Sequence, residues 1–191
     1  MALDDHLGPA LSNEVLSAIG YVTTYWGQLE DHASSATAFL LDCVPYGFRG
    51  VSTNMMGSSK FDSLCAVAEM KLPPEQFESL KLITERAAAL TAERNRIIHG
   101  CWYPTKNPKV AKRYSYRAYG SLKQKEERVS AARLRSFGDE IAGELKHLIG
   151  WLDRAGFYER YEGPPVPSPK KRPVASGRGH RNPDRHNGRQ S

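Results

Sequence analysis

The strongest pattern in the chain is a helical stripe of apolar residues near its beginning. From Asn13 to Leu41 the apolar residues recur at alternating spacings of four and three, the repeat that places side chains on one face of an α-helix. The stripe consists of Val15, Ile19, Val22, Trp26, Leu29, Ala33, Ala36 and Leu40. Ser12 is a suitable N-cap for this helix. Pro45 should break it, and the polar, glycine-containing segment that follows is predicted to be a loop up to Ser58.

Two more helices are predicted before residue 100. Ser59 begins a variant of the capping box, and the second helix ends before Pro73 and Pro74. Its apolar face consists of Phe61, Leu64, Ala68 and Leu72. The third helix begins at Glu75 and should end near His99, because the next residue is a glycine. Its stripe consists of Leu80, Ile83, Ala87, Leu90 and Ile97.

The helical period disappears between Cys101 and Val129. The run from Tyr114 to Tyr119, followed by a Gly-Ser pair, predicts a short β-hairpin, so residues 103–129 form an insertion after the third helix. Ser130 then caps a fourth helix. The stripe of this helix consists of Leu134, Phe137, Ile141, Leu145, Leu148 and Leu152. The predicted fold class is therefore all-α, a four-helix bundle with a small β-hairpin insertion.

Charge separates the end of the chain from its body. Residues 164–191 hold seven basic residues against one acidic residue, a net charge of +6 that equals the charge of the whole chain. This segment is rich in proline, glycine and arginine and has few apolar residues, so burial cannot offset its chain entropy. We therefore predict a helical domain over residues 1–161 and a disordered basic tail over residues 162–191.

Composition argues against several classes of protein. Cys43, Cys65 and Cys101 are odd in number and far apart, which disfavours a disulfide framework or a zinc site. No run is apolar enough for a membrane span, and the chain begins with acidic residues where a signal peptide would be basic. No phosphate-binding glycine loop or cluster of carboxylate metal ligands is present. We expect a cytoplasmic protein that needs no metal ion or other cofactor and does not contact a membrane.

Arg94 is the exception within the apolar stripe of the third helix. A guanidinium at such a position is costly unless it is paired or faces a cleft. Asn95 and His99 are four residues apart and lie on one face of the helix, and the long side chain of Arg94 can reach the same place. A histidine exchanges protons near neutral pH, a guanidinium binds phosphate through two N–H groups, and an amide can orient either. Cleavage of a phosphodiester requires these parts.

The same residues carry a resemblance to a known family. The order Arg-Asn-x-x-x-His from Arg94 to His99, on the third helix of a four-helix bundle and followed by Gly100 and Trp102, resembles the signature of HEPN domains. Two other segments also resemble bacterial HEPN-type proteins, Tyr25-Trp26-Gly27-Gln28-Leu29-Glu30 on the first helix and Ser59-Lys60-Phe61 at the start of the second. The resemblance covers about residues 11–152.

The resemblance implies a metal-independent endoribonuclease, in which the RNA 2′-hydroxyl attacks the neighbouring phosphate and leaves a 2′,3′-cyclic phosphate. Arg94 and His99 match the catalytic arginine and histidine of the family, Asn95 matches its supporting polar residue, and Glu30 is a second supporting candidate. Family members regulated by nucleotidyl transfer carry a tyrosine where this chain has Cys101, so that regulation is not expected here. The family also suggests a role in phage defence or a toxin system, with an antitoxin or defence-system protein as a partner.

The cleavage reaction also suggests a homodimer. Attack by the 2′-hydroxyl needs a base, and departure of the 5′-oxygen needs an acid, but one copy of the motif supplies only His99. Pairing of two third helices around a two-fold axis would bring two histidines and two arginines into one cleft.

The hairpin region is a candidate RNA-binding segment because it interleaves basic residues with tyrosines. Basic groups neutralise phosphates, and tyrosine rings stack on bases. The candidate RNA-binding residues are Lys112, Arg113, Tyr114, Tyr116 and Arg117. A solvated edge hairpin, kept from aggregating by its lysines, is an equal alternative.

Other interpretations of the motif remain open. Arg94 and His99 could lie at a surface helix end, where the histidine complements the helix dipole and Glu30 is an ordinary solvated position. A HEPN-like bundle could also keep the motif for packing, RNA binding or scaffolding without catalysis. A third class, a DNA-associated adaptor with a basic tail, rests on charge alone.

Overall fold

The structure is a computed structural model that describes residues 10–55, 57–118 and 122–161, with the backbone alone at residues 117, 118, 122, 123 and 161. In chain order the elements are α1 (Asn13–Leu40), α2 (Pro45–Ser52), α3 (Gly57–Lys71), α4 (Pro74–His99), β1 (Cys101–Pro104), β2 (Val110–Ala118), β3 (Leu122–Ser130), α5 (Ala131–Arg154) and α6 (Phe157–Tyr161). The predicted disordered tail, residues 162–191, lies outside the described residues. None of the helices in the described part has both the length and the apolar character of a membrane span.

The predicted predominantly helical fold is confirmed, but the described part has more elements than the predicted four helices and small β-hairpin. The described residues form six helices and three strands. Helix α2 occupies a segment that the sequence predicts to be a loop. Pro45 begins this helix rather than preventing it, because the fixed φ and missing N–H of proline are tolerated at the first position of a helix. The chain reverses just before it through Asp42, which has a φ of 57° in the left-handed region.

The predicted hairpin is part of a larger antiparallel sheet with the strand order β1-β2-β3. Strands β2 and β3 pair from Val110 and Ser130 outward, and the residues of the turn that joins them lie outside the described part. The sequence missed β1, which pairs with β2 from Cys101 opposite Tyr114. Four residues that end in a proline are too short to show a strand period, so β1 is defined only by its partner strand.

The helical core agrees closely with the apolar stripes. The stripe residues of α1, α3, α4 and α5 are buried, apart from Ile19, Leu72 and Leu90, which pack partly buried against the same cluster. Helix α1 packs along α5 and also against α3. Ser12 and Ser130 cap α1 and α5 as predicted, since their side chains accept hydrogen bonds from backbone N–H groups three residues later.

The sheet presents two chemically different faces. On the face that we call the closed face, Ala111, Arg113 and Val129 are buried. The alternate residues form the open face, which consists of Cys101 and Tyr103 on β1, Lys112, Tyr114 and Tyr116 on β2, and Gln124, Glu126 and Arg128 on β3. Most of these side chains are exposed, and none of them is buried.

Candidate functional site

The candidate site lies at the C-terminal end of α4, where this helix meets the sheet. Helix α4 ends at His99, and Gly100 passes the chain directly into β1 with an extended backbone (φ −74°, ψ 147°). A glycine just after a helix usually adopts the left-handed conformation, but Gly100 does not. A Cβ at this position would lie 2.6 Å from the backbone oxygen of Arg96 and 2.9 Å from Cγ of Arg113, so only a glycine fits between the helix end and β2.

An open cavity of about 440 Å³ lies beside this helix end. Its polar lining side chains are Asn95, Arg96, His99, Ser115 and Tyr116. Asn95 and His99 are both exposed, as expected from their spacing of four residues on one helix face. The cavity therefore combines a group that can exchange a proton, a guanidinium, an amide and two hydroxyls.

Arg94 does not line this cavity but lies against its wall. Its Nη1 donates a 2.8 Å hydrogen bond to Oδ1 of Asn95, and its guanidinium lies 5.3 Å from the centre of the Trp26 ring. Its Nη2 is 3.8 Å from Oε1 of Glu30. The structure thus explains why an arginine interrupts the apolar stripe, because the charge is paired and stacked at the junction with α1. The Nε atom of Arg94 is buried and has no hydrogen-bond partner within the described residues.

Glu30 is the centre of a polar cluster that joins α1, α3 and α4. The indole N–H of Trp26 donates to its Oε1, and Nζ of Lys60 lies 3.4 Å from its Oε2. The side chains of Glu30 and Lys60 are only 16% and 14% exposed, so neither is an ordinary solvated residue. Glu30, a supporting candidate from the sequence, is brought to Arg94, whereas the roles of Trp26 and Lys60 were missed. The spacing of four between Trp26 and Glu30 was the available signal.

Arg113 is placed differently from the exposed RNA contact expected from the sequence. It is 2% exposed, and its Nη1 donates to Oε1 of Glu93 at 2.9 Å while its Nη2 donates to Oε2 of Glu127 at 2.8 Å. Its guanidinium also lies 5.6 Å from the centre of the Trp102 ring. In this arrangement both ends of the guanidinium are occupied by carboxylates, so Arg113 connects the sheet to α4 rather than offering its charge to RNA.

Lys112, Tyr114 and Tyr116 lie on the open face. The Tyr114 hydroxyl donates a 2.6 Å hydrogen bond to Oε2 of Glu126, and Nζ of Lys112 lies 2.9 Å from Oε1 of the same carboxylate. The hydrogen bond from Tyr114, followed by that from Lys112, lowers the pKa of Glu126, and the shared carboxylate raises the pKa of both partners. Tyr116 is half exposed and reaches the His99 cavity, whereas the side chain of Arg117 lies outside the described residues.

The comparisons with known proteins do not identify a family for this chain, so the resemblance to HEPN domains stays a prediction. No protein-family model matches the chain, and no curated protein or solved structure is significantly similar to it. Among the residues that the structure describes, no group of three or more histidine, cysteine, aspartate and glutamate side chains is arranged to hold a metal ion.

Proposed function

We propose that this protein is a metal-independent endoribonuclease of the HEPN type whose reaction takes place in the His99 cavity. The observation that carries the proposal is the position of the three motif residues. His99 and Asn95 are exposed on one open cavity, and Arg94 is hydrogen-bonded to Asn95 at 2.8 Å. The remaining polar lining of the described cavity, Arg96, Ser115 and Tyr116, supplies donors suited to a phosphate and its neighbouring sugars.

The proposed reaction is a transfer within the RNA backbone. The 2′-hydroxyl loses its proton to a base and attacks the adjacent phosphorus, while the bond from phosphorus to the 5′-oxygen breaks and that oxygen takes a proton from an acid. The products are a 2′,3′-cyclic phosphate and a free 5′-hydroxyl. The imidazole of His99, at the C-terminal end of α4, acts in one of these proton transfers. Arg94 acts on the phosphate through Asn95, to which it donates a hydrogen bond, and the guanidinium of Arg96 lines the cavity itself.

A single copy leaves one proton transfer unassigned, and a two-fold dimer would assign it. Two α4 ends facing each other would place a second imidazole across the same phosphate. The cavity beside His99 is open to solvent at the end of the helix, which leaves room for such a partner. Sedimentation should show a dimer at micromolar concentrations. A protein that remains monomeric at every concentration tested, yet cleaves RNA, would remove the dimer from the mechanism.

The test of the activity is incubation of the purified protein with mixed RNA in excess EDTA, followed by analysis of the product ends. Loss of a general acid or base costs on the order of a hundred- to ten-thousandfold in rate, so His99→Ala should abolish visible cleavage. His147→Ala is the matched control, since His147 is an exposed histidine on α5 whose side chain is 55% exposed. Cleavage that stops in EDTA, or that survives unchanged in His99→Ala, would overturn the mechanism.

A second candidate function is RNA binding or scaffolding without catalysis. The observation that favours it is the orientation of Arg94, whose guanidinium is held by Trp26, Glu30 and Asn95 and does not line the cavity. RNA binding without cleavage, under the same conditions, would support this function instead. A place in phage defence or a toxin system, with an antitoxin or defence-system partner, rests on the family resemblance alone.

A further inference from the structure

The open face of the sheet exposes aromatic rings that the fold does not use. Tyr103 and Tyr116 are 51% and 50% exposed. The ring of Tyr103 meets that of Tyr114 edge to face, with centroids 5.4 Å apart and an interplanar angle of 82°. This contact leaves much of the Tyr103 ring in solvent, which loses the burial energy that an aromatic ring usually contributes. Exposed rings on a sheet are the feature that stacks unpaired bases in RNA-binding domains.

Positive charge gathers at one end of the same face. A wide groove of about 830 Å³ is bounded by the β1–β2 connection, and the charged side chains among its described lining residues are Lys106, Lys112 and Arg128. Lys106 and Arg128 are exposed, and Lys112 shares the carboxylate of Glu126 with a tyrosine hydroxyl. Since Lys112 is paired with Glu126, the net positive charge of the described groove lining comes from Lys106 and Arg128, and it suits the phosphates of a bound chain.

The groove and the His99 cavity are connected by one strand. Lys112 lines the groove and Tyr116 lines the cavity, and both side chains belong to the open face of β2. They are four residues apart, a distance of about 13 Å along an extended strand. Tyr103 lies beside Lys112 on the neighbouring strand. Ser115 on the other face also lines the cavity, so a bound strand could contact the cations and exposed rings of the open face and then pass beside Tyr116 into the cavity.

We propose that the open face binds single-stranded RNA and leads it from the cationic groove into the His99 cavity. Lys106 and Arg128 bind backbone phosphates, with Lys112 beside them, and the rings of Tyr103 and Tyr116 each stack on an unpaired base. The choice of RNA over DNA rests on the proposed function, whereas the choice of a single strand follows from the rings, because paired bases in a duplex do not present their faces.

The test measures binding separately from cleavage. The full chain carrying His99→Ala is titrated against a fluorescein-labelled oligouridylate and followed by fluorescence polarisation. Loss of one stacked base weakens binding about fivefold to a hundredfold, so Tyr103→Ala and Tyr116→Ala should each fall in this range. Tyr46→Ala is the matched control, because Tyr46 is 55% exposed but lies on α2. Tyr103→Phe and Tyr116→Phe should retain binding, since they keep the ring.

The phosphate contacts have a separate measurement that does not depend on the tyrosine variants. Lys106→Gln and Arg128→Gln should each reduce the slope of log affinity against log salt concentration by about 0.7, the value for one phosphate contact to a single strand. Lys146→Gln on α5 serves as the control, because Lys146 is exposed outside the open face. The charge variants alter exposed side chains, so loss of folding should not obscure the result.

Several outcomes would overturn the proposal. Unchanged binding in both tyrosine-to-alanine variants, or salt slopes equal to that of Lys146→Gln, would remove the open face as the binding surface. If duplex RNA or polyglutamate competes as well as single-stranded RNA does, the open face binds a different class of ligand. Tighter binding of single-stranded DNA than of single-stranded RNA would overturn the choice of RNA. Failure of the two proposals can be distinguished. If RNA binding depends on the tyrosines but the wild-type protein cleaves no RNA, only the proposed function is refuted. If the wild-type protein cleaves RNA and the tyrosine variants cleave it equally well, only the proposed binding face is refuted.

Discussion

Nη1 of Arg94 donates a 2.8 Å hydrogen bond to Oδ1 of Asn95, its neighbour in the chain. The two residues face different surroundings, since Arg94 packs on Trp26 of α1 and Asn95 lines the His99 cavity. The bond occupies the amide oxygen of Asn95 and leaves its N–H groups for a ligand. The planar guanidinium of Arg94 is thus linked, through the amide of Asn95, to the place where we expect the phosphate.

The first prediction concerns this link. Arg94→Lys should be nearly as damaging to RNA cleavage as Arg94→Ala, because an ammonium cannot stack on Trp26, approach Glu30 and bond Asn95 with the fixed geometry of a guanidinium. Initial cleavage rates in EDTA are the measurement, and Arg86→Lys, at an exposed position of the same helix, is the control. Activity of Arg94→Lys close to that of the wild type would show that only the charge matters.

The second prediction assigns Glu30 a positioning role. Glu30→Gln removes the carboxylate that faces both Lys60 and Arg94, so it should destabilise the protein by about 1–3 kcal/mol. Chemical denaturation measures this loss, and Glu85→Gln, at an exposed position in the interior of α4, should be neutral.

A positioning role also predicts an effect beyond stability. At a temperature where Glu30→Gln is fully folded, its kcat should fall while the pH profile of cleavage keeps its shape, because the proposed acid–base residue His99 is unchanged. A purely structural residue would leave the kcat of the folded variant intact, and a displaced pH profile would contradict a role confined to positioning.

The third prediction follows from the burial of Arg113. Arg113→Ala leaves the carboxylates of Glu93 and Glu127 without their shared partner and should cost about 3–5 kcal/mol of unfolding free energy. Arg128→Ala, on the open face of the adjacent strand, should change stability by less than about 0.5 kcal/mol. Equal effects of the two variants in urea denaturation would contradict the assignment of Arg113 to the interior.

The fourth prediction is a pH dependence with a defined sign. The hydrogen bond from Arg113 lowers the pKa of Glu127, so the folded state favours its charged form. This contribution to stability is present above the unfolded glutamate pKa of about 4.3 and is lost as pH falls through the lowered folded value. The difference in unfolding free energy between wild type and Glu127→Gln should therefore shrink on acidification. A difference that is constant down to strongly acidic pH would contradict the prediction.

The fifth prediction concerns the junction between α4 and β1. Gly100→Ala places a methyl group against the backbone oxygen of Arg96 and the side chain of Arg113, so it should destabilise the protein by about 1–3 kcal/mol. Gly143→Ala is the matched control, because a Cβ there meets nothing within 4 Å. In the interior of α5 it should stabilise the protein by about 0.5–1 kcal/mol. Thermal or chemical denaturation of both variants would show whether their effects have opposite signs.

Much of the helical fold, and one important part of the site, could be predicted from the sequence alone. Burial of a helix face leaves a repeat of three and four in the chain, and caps are set by neighbouring residues. Helices α1 and α4 therefore begin and end close to their predicted positions, and α5 begins where predicted. Arg94 could be identified because it breaks such a repeat, and Asn95 and His99 because helix geometry brings residues four apart together.

Only the tertiary structure decided which side chains of the sheet are exposed to a ligand. Lys112 and Arg113 are adjacent basic residues, yet the first is partly exposed on the open face and the second is buried between two carboxylates. The chain carries polar residues on both faces of β2, so alternation could not indicate which face the helices cover. Arg94 likewise contacts Trp26 and Glu30, which are far from it in the chain, and Tyr116 lines the same cavity as His99. Packing, rather than a local repeat, determines both arrangements.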